Sequence, residues 1–297
     1  MIQFAKYIAL FLPVVFFSLP ALSTSVIKAE KRGSRIDVFV DGQLFTRYNF
    51  SADEKYPYFF PVNGQSNASI VSTGNANYPH HSGLFFGCDK VNGGNYWQEG
   101  LERGQILSVR ADIVQTGTDR VVIENESVWT RPGANSPIMD KRTITIMAYD
   151  ATTRIIDFDI ELTMLEAVVI EQTNHSLFSA RMAFDLSVSG GGTLINSNGL
   201  VGETATFGQP SPWMNYFGTR MGKIEGLAIL QHPSNRWYPS PWFTRDYGFF
   251  SPTPMYWPAS SDLKTRFEKD EKLKLRYRVV VHNGANIAEL FEAYILQ

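Results

Sequence analysis

Alternation of apolar and polar positions is the dominant signal along this chain. Ile36, Val38 and Val40 alternate with polar neighbours, Asp41-Gly42 follows, and Leu44 and Thr46 resume the pattern. That spacing predicts a tight β-hairpin, because Asp-Gly accepts the positive φ angles of a type I′ turn. The same two-residue period recurs at Leu107, Val109, Ala111 and Ile113, and at Ile156, Phe158, Ile160 and Leu162. It returns at Met182, Phe184, Leu186 and Val188, and at Leu273, Leu275, Tyr277, Val279 and Val281. Each run predicts a strand with one face turned inward. Turn residues such as Gly190-Gly191-Gly192 separate the runs, which argues for an all-β fold of antiparallel sheets packed as a β-sandwich. One stretch follows the helical period, Ile287, Leu290, Phe291, Tyr294 and Ile295, and predicts a single C-terminal helix laid over a sheet.

The N-terminus reads differently. Lys6 precedes an apolar run from Tyr7 to Leu19, then Pro20 and the small residues Ala21 and Ser23 on either side of Leu22. The run is shorter than the roughly 18 to 20 residues that span a bilayer, and its flanks fit a secretory signal peptide cleaved after Ser23. Residues 1–23 are thus expected to be a leader, and 24–297 a single sandwich domain, since no linker, repeat or low-complexity tract divides them. The expected destination is the periplasm or the cell exterior, with no stable membrane insertion once the leader is gone.

Composition narrows the partners. A formal net charge of -2 with scattered lysines and arginines leaves no basic footprint for phosphate backbones, so nucleic acid is not an expected partner. The single cysteine, Cys88, has no internal disulfide partner and reads as a buried apolar residue. A 44% share of hydrophobic residues is ample for a large core.

Candidate chemistry gathers in three clusters. The chain has five histidines, and four of them sit among turn residues and aromatics. The first cluster runs from Tyr78-Pro79-His80-His81-Ser82-Gly83 to Asn92, Gly93 and Trp97. The second is Asn174-His175-Ser176, leading to Arg181. The third takes in Asn198, Trp213, Tyr216, His232, Asn235, Trp242 and Arg245-Asp246-Tyr247-Gly248. Flat aromatic faces stack on the C–H side of sugar rings while Asn, Arg and His bond the hydroxyls, so a carbohydrate is the expected ligand. Trp97, Asn92, Asn198, Trp213, Tyr216, Asn235 and Trp242 are the candidate binding residues. Arg181, Arg245 and Tyr247 form a candidate anion-recognising group, because a guanidinium holds a carboxylate bidentately.

Pro79-His80-His81-Ser82-Gly83-Leu84 with Asn92-Gly93 and Trp97, the turns Asn196-Ser197-Asn198-Gly199 and His232-Pro233-Ser234-Asn235, Trp242 with Arg245-Asp246-Tyr247-Gly248, and Arg276-Tyr277-Arg278-Val279-Val280-Val281-His282 resemble the bacterial family commonly labelled "methane oxygenase PmoA". The similar stretches cover most of residues 24–297. Pro252-Thr253-Pro254 and Gln231 stand where that family usually has Asn-Pro-Phe and Asp. The resemblance implies a β-sandwich similar to the galactose-mutarotase supersandwich, shared by sugar epimerases, hydrolases and polysaccharide lyases. The oxygenase in the label would need several membrane-spanning helices, and the pattern offers none after the leader.

The residues then support an exported enzyme acting on a plant or algal glycan. In uronate elimination, Arg181 or Arg245 neutralises the carboxylate, one of His80, His81, His175 and His232 takes the C5 proton, and Tyr247 protonates the leaving oxygen. Hydrolysis would instead need two facing carboxyls drawn from Glu99, Glu102, Glu203 and Asp246. A non-catalytic sugar-binding module is a second class of reading. A metalloprotein with His80 or His81, His175 and His232 as ligands is a third, although none of their spacings is that of a metal motif. No cofactor is expected.

Overall fold

The computed structural model describes residues 25–98 and 100–297. The expected leader lies outside the described residues. Two eight-stranded sheets carry the fold, and every strand pair in them is antiparallel. The first runs Ile27–Arg32, Arg35–Val40, Gln43–Asn49, Tyr58–Val62, Leu84–Cys88, Ser176–Arg181, Phe249–Pro252 and Trp242–Thr244. The second runs Thr193–Asn196, Trp213–Arg220, Lys223–Gln231, Lys272–His282, Arg154–Met164, Ile138–Ala148, Arg120–Thr130 and Gln105–Thr116. Two small ribbons complete the β structure, Val168–Glu171 with Lys264–Phe267 and Thr73–Asn75 with Tyr78–Ser82.

Inward side chains of the two sheets interdigitate to make the core. Phe178 stacks on Tyr277 at 4.8 Å between ring centres, and Phe59 meets Phe158 edge-on at 5.7 Å. The expected hairpin forms at Asp41-Gly42, with φ angles of 51° and 78°, the sign that a type I′ turn requires. The alternating runs at 156–162 and 273–281 are strands, and each of their named apolar residues is buried.

Two expectations fail for local reasons. Residues 182–188 do not form a strand: the chain enters 3-10 turns at Phe184–Leu186 and Val188–Gly190, and Phe184 is 65% exposed. The Ser187 hydroxyl accepts from the Gly190 amide at 3.2 Å, and Gly191 takes φ 94°, so local capping outcompetes extension. In the Gln105–Thr116 strand the register shifts between Ser108 and Arg110, which turns Val109 outward while Ile106 and Ala111 face in.

The C-terminal helix, Ile287–Ile295, packs Ile287, Leu290, Phe291 and Tyr294 on the outer side of the second sheet, against Ala228, Leu230 and Val280. Asn286 caps it: its side chain accepts from the Glu289 amide and donates to the Glu289 carboxylate, a reciprocal N-cap. A further five-residue helix, Gly202–Thr206, adds to the one expected.

A charged pair crosses the core. Asp140 and Arg142, 0% and 2% exposed, alternate with apolar residues on the inward face of Ile138–Ala148. Arg142 donates through Nη2 to Asp140 at 2.6 Å, its guanidinium lies 5.3 Å from the Phe86 ring centre, and Trp129 Nε1 donates to the same carboxylate at 3.4 Å.

Candidate functional site

The Leu84–Cys88, Ser176–Arg181 and Phe249–Pro252 strands lie side by side in the first sheet and carry side chains on both faces. Phe178 and Phe250 point into the sandwich, toward Tyr277 and Tyr216. Alternation therefore sends Ser179, Arg181, Phe85 and Phe249 to the opposite face, where Phe85 pairs with Ser179 and Phe249 with Arg181 across the strands. The ribbon of Thr73–Asn75 and Tyr78–Ser82 lies against this face and brings Tyr78, His80 and His81 down onto it. Gly83 turns the chain from ribbon to sheet at φ 63°, and a Cβ there would fall 2.3 Å from the Phe59 carbonyl oxygen.

Arg181 is the centre of the cluster. Its guanidinium lies 4.3 Å from the ring centre of Tyr247 and 5.2 Å from that of Tyr78, and those two rings stack at 4.5 Å. Its Nη1 donates to His81 Nδ1 at 3.3 Å. A guanidinium only donates, so Nδ1 accepts and the network assigns the imidazole proton to Nε2. His81 is sandwiched between Tyr78 at 5.2 Å and Phe249 at 4.6 Å. His80 meets His81 edge-on at 4.6 Å and His175 at 5.6 Å, and Trp97 lies 5.9 Å from His175. Asp89 Oδ2 stands 3.9 Å from His175 Nδ1.

Among the described residues no carboxylate neutralises Arg181: its contacts are an imidazole and phenol rings. Burial pulls its pKa down, opposed by the neighbouring phenols of Tyr247, Tyr78 and Tyr216. Its Nε is buried without a partner, as are Trp97 Nε1 and the hydroxyls of Ser176 and Ser179. Buried polar atoms are ordinarily paired, so the unpartnered Nε marks a guanidinium whose hydrogen-bonding capacity the fold leaves partly unspent.

Protonation states follow from burial. Desolvation, then the charges of His80, Arg181 and His175, push the His81 pKa down to about 2, so it stays neutral and serves as a fixed hydrogen-bonding ring. Burial, then the Tyr78 phenol, raises Tyr247 to about 12, which keeps its proton in place at neutral pH. His282, elsewhere in the fold, is lowered to about 4 by burial and lies 2.9 Å from Asn215 Oδ1. Histidines buried neutral let the unfolded chain take up protons first, below its ordinary value of 6.5, so stability falls with acidification. Between pH 6 and 5 the wild type is expected to lose about 1 kcal/mol more than His282→Gln, read from urea unfolding at each pH. Equal losses would remove His282 from the account.

The structure thus unites His80, His81, His175, Arg181 and Tyr247, with Trp97 fully buried behind His175. It does not bring the other candidates to this cluster. Asn92 fastens its loop to Glu166, Ala167 and Val169, and Asn235 is paired with the Arg276 backbone. Trp242 is fully buried, with Nε1 donating to the Ser211 carbonyl. Trp213 packs beside the C-terminal helix cluster, and Asn198 is an exposed turn residue. Tyr216 supports the site from beneath, its hydroxyl donating to the carbonyls of Arg245 and Asp246. Arg245 pairs with Glu203 at 3.1 Å and lies over Phe243 at 4.0 Å, so its charge is committed. His232 follows the Lys223–Gln231 strand of the second sheet, 2.9 Å from Arg276 Nη1 and edge-on to Tyr294 at 5.2 Å.

That separation divides the histidine set proposed for a metal. Among the described residues no group of three or more His, Cys, Asp or Glu side chains is placed to hold a metal ion. Of the carboxyl candidates, Glu203 and Asp246 bond each other's backbone amides at 2.9 Å, which spends them on bracing the Tyr247 loop. Glu99 lies outside the described residues. Tyr78, Phe249 and Asp89 complete the cluster although none was a candidate site residue; Tyr78, which opens the first sequence cluster and shares a strand with His80 and His81, was the visible hint. The cluster is shallow, with half-buried His80, His175, Tyr78 and Tyr247 as its solvent side, and a groove rimmed by Asp89 runs alongside it.

An antiparallel β-sandwich with an imidazole, phenol and guanidinium cluster on the outer face of one sheet is the class of protein these observations define. The chain belongs to a family of unknown function (DUF6807), which matches residues 35–295. No curated protein matches. Among solved structures it is similar to a putative aldose 1-epimerase from Escherichia coli K12, at 12% identity over 87% of this chain and 99% of that one, TM-score 0.36. It is also similar to a putative kojibiose phosphorylase from the human microbiome, at 10% identity over 92% of this chain and 36% of that one, TM-score 0.31. The chain spans about a third of the latter's length.

Proposed function

We propose that this chain is an exported carbohydrate-active enzyme of mutarotase-like architecture that cleaves a plant or algal glycan by elimination next to a uronate. The observation that carries the reading is Arg181, a buried cation without a carboxylate partner among the described residues, walled by two stacked phenols and the His81 imidazole. The substrate carboxylate takes the place of the missing counter-ion. Neutralising that group lowers the pKa of the C5–H, because charge building up at C5 spreads onto the carboxyl oxygens.

His80 or His175 then removes the C5 proton, the C–H electron pair forms the C4–C5 double bond, and the C4–O bond breaks. Tyr247, which keeps its proton at neutral pH, passes it to the departing oxygen. His81 is unsuited to the base role, since its Nδ1 lone pair is engaged by Arg181 and burial depresses its basicity. It holds the guanidinium in place. Export rests on the Tyr7 to Leu19 apolar run and the small residues that follow it.

The test is a panel of acidic and neutral glycans given to the purified mature chain, with product and ultraviolet absorbance followed together. Cleavage with new absorbance from an unsaturated uronate is the expected result. Cleavage without it would point to hydrolysis, and binding without cleavage to a sugar-binding module.

A further inference from the structure

The groove beside His175 has a charge pattern unlike that of the Arg181 cluster. Its walls carry Asp89, Glu102 and Glu171 together with Lys90, Arg103 and Arg131, and its floor includes Gly93, Gly94 and Asn95. Asp89 belongs to both places, being a groove wall and the acidic neighbour of His175 at 3.9 Å. The groove and the cluster therefore adjoin at Asp89. Its shape is set before any ligand arrives. Arg131 donates to the carbonyls of Gly93 at 2.7 Å and Asn92 at 3.2 Å, and Asn95 Oδ1 accepts from the amides of Trp97 at 3.0 Å and Gln98 at 2.9 Å. A loop fixed in this way binds without an ordering cost.

We infer that this groove is a second sugar subsite that takes neutral, hydroxyl-rich residues of the same chain whose acidic residue sits on Arg181. The inference rests on the acidic-sugar reading above. Among the described lining residues, three acids and three bases give a polyanion no net attraction, since each favourable guanidinium or ammonium contact is matched by a repelling carboxylate. Hydroxyls suit the same walls, because they donate to carboxylates and accept from cations. Arg181, with no acid beside it among the described residues, has the opposite preference. The substrate is thus a mixed oligosaccharide or polysaccharide, a uronate flanked by neutral sugars, and not a run of consecutive uronates or a single sugar.

The experiment compares kcat/KM of the full mature chain on mixed oligosaccharides with one uronate, on homo-uronate oligosaccharides of the same length, and on a disaccharide series. Mixed chains are expected to lead homo-uronates by about tenfold at low salt, and longer mixed chains to lead the disaccharide. Glu102→Gln combined with Glu171→Gln is expected to narrow the gap by improving homo-uronates. Rates that do not depend on chain length, or equal rates on both polymers that the double substitution leaves unaltered, overturn the subsite. Absence of turnover on every acidic glycan would overturn the acidic-sugar reading itself, and the subsite with it.

Discussion

Arg181→Met is expected to weaken binding of acidic sugars by about 2–5 kcal/mol, roughly 30- to 5,000-fold, while leaving the thermal midpoint unchanged or raised. The two halves of this result have one cause. Methionine keeps an apolar stem beside Tyr78 and Tyr247 but removes an ion that no carboxylate offsets among the described residues. Taking a charge that no described carboxylate offsets out of a buried site relieves a desolvation cost that outweighs the hydrogen bond lost at His81, so the folded state does not suffer. Losing that charge deprives the ligand of its counter-ion, so binding does. Calorimetric titration with a uronate oligosaccharide and a melting curve on the same sample check both. Retained affinity would remove Arg181 as the anchor, and a melting point that fell in step with affinity would make its role structural.

The opposite outcome is expected at another buried arginine, Arg142. Asp140→Ala leaves Arg142, 2% exposed, without its carboxylate, and should cost about 3–5 kcal/mol of unfolding free energy. Trp129 Nε1 loses an acceptor by the same change. Replacing both partners, Asp140→Leu with Arg142→Met, should recover most of the loss, because neither charge then remains in the core. Urea unfolding decides it through the midpoint, at unchanged slope. A loss below about 1 kcal/mol for the single variant would mean that the pair is solvated.

The contrast shows what was legible in the sequence. Strands that bury one face, such as Arg154–Met164, announce themselves by alternation because the partition between core and solvent has the same period as the pleat. The strand 138–148 hid its pair, since Asp140 and Arg142 at alternate positions look like a solvent face. The run at 182–188 misled in the other direction: its period of two is an accident of composition, overruled by Ser187 and the glycines after it. For the site, residue types pointed to the histidines, Arg181, Trp97 and Tyr247. Which of them meet was not legible, because Tyr78 and Tyr247, which stack, lie 169 positions apart in the chain. His232 and Asn235 share the same local signature of turn and aromatic, yet the fold places them beside Arg276 of the second sheet.

The Ser176–Arg181 strand has no solvent-facing position: all six residues are buried, Phe178 in the core and Arg181 in the site. Fold and recognition therefore compete for the same few codons. Descendants of this protein that acquire a different substrate are expected to differ in the loops around residues 89–104 and 245–248, with the strand itself inherited as a unit. In a sequence library drawn from this chain, diversity belongs in those loops.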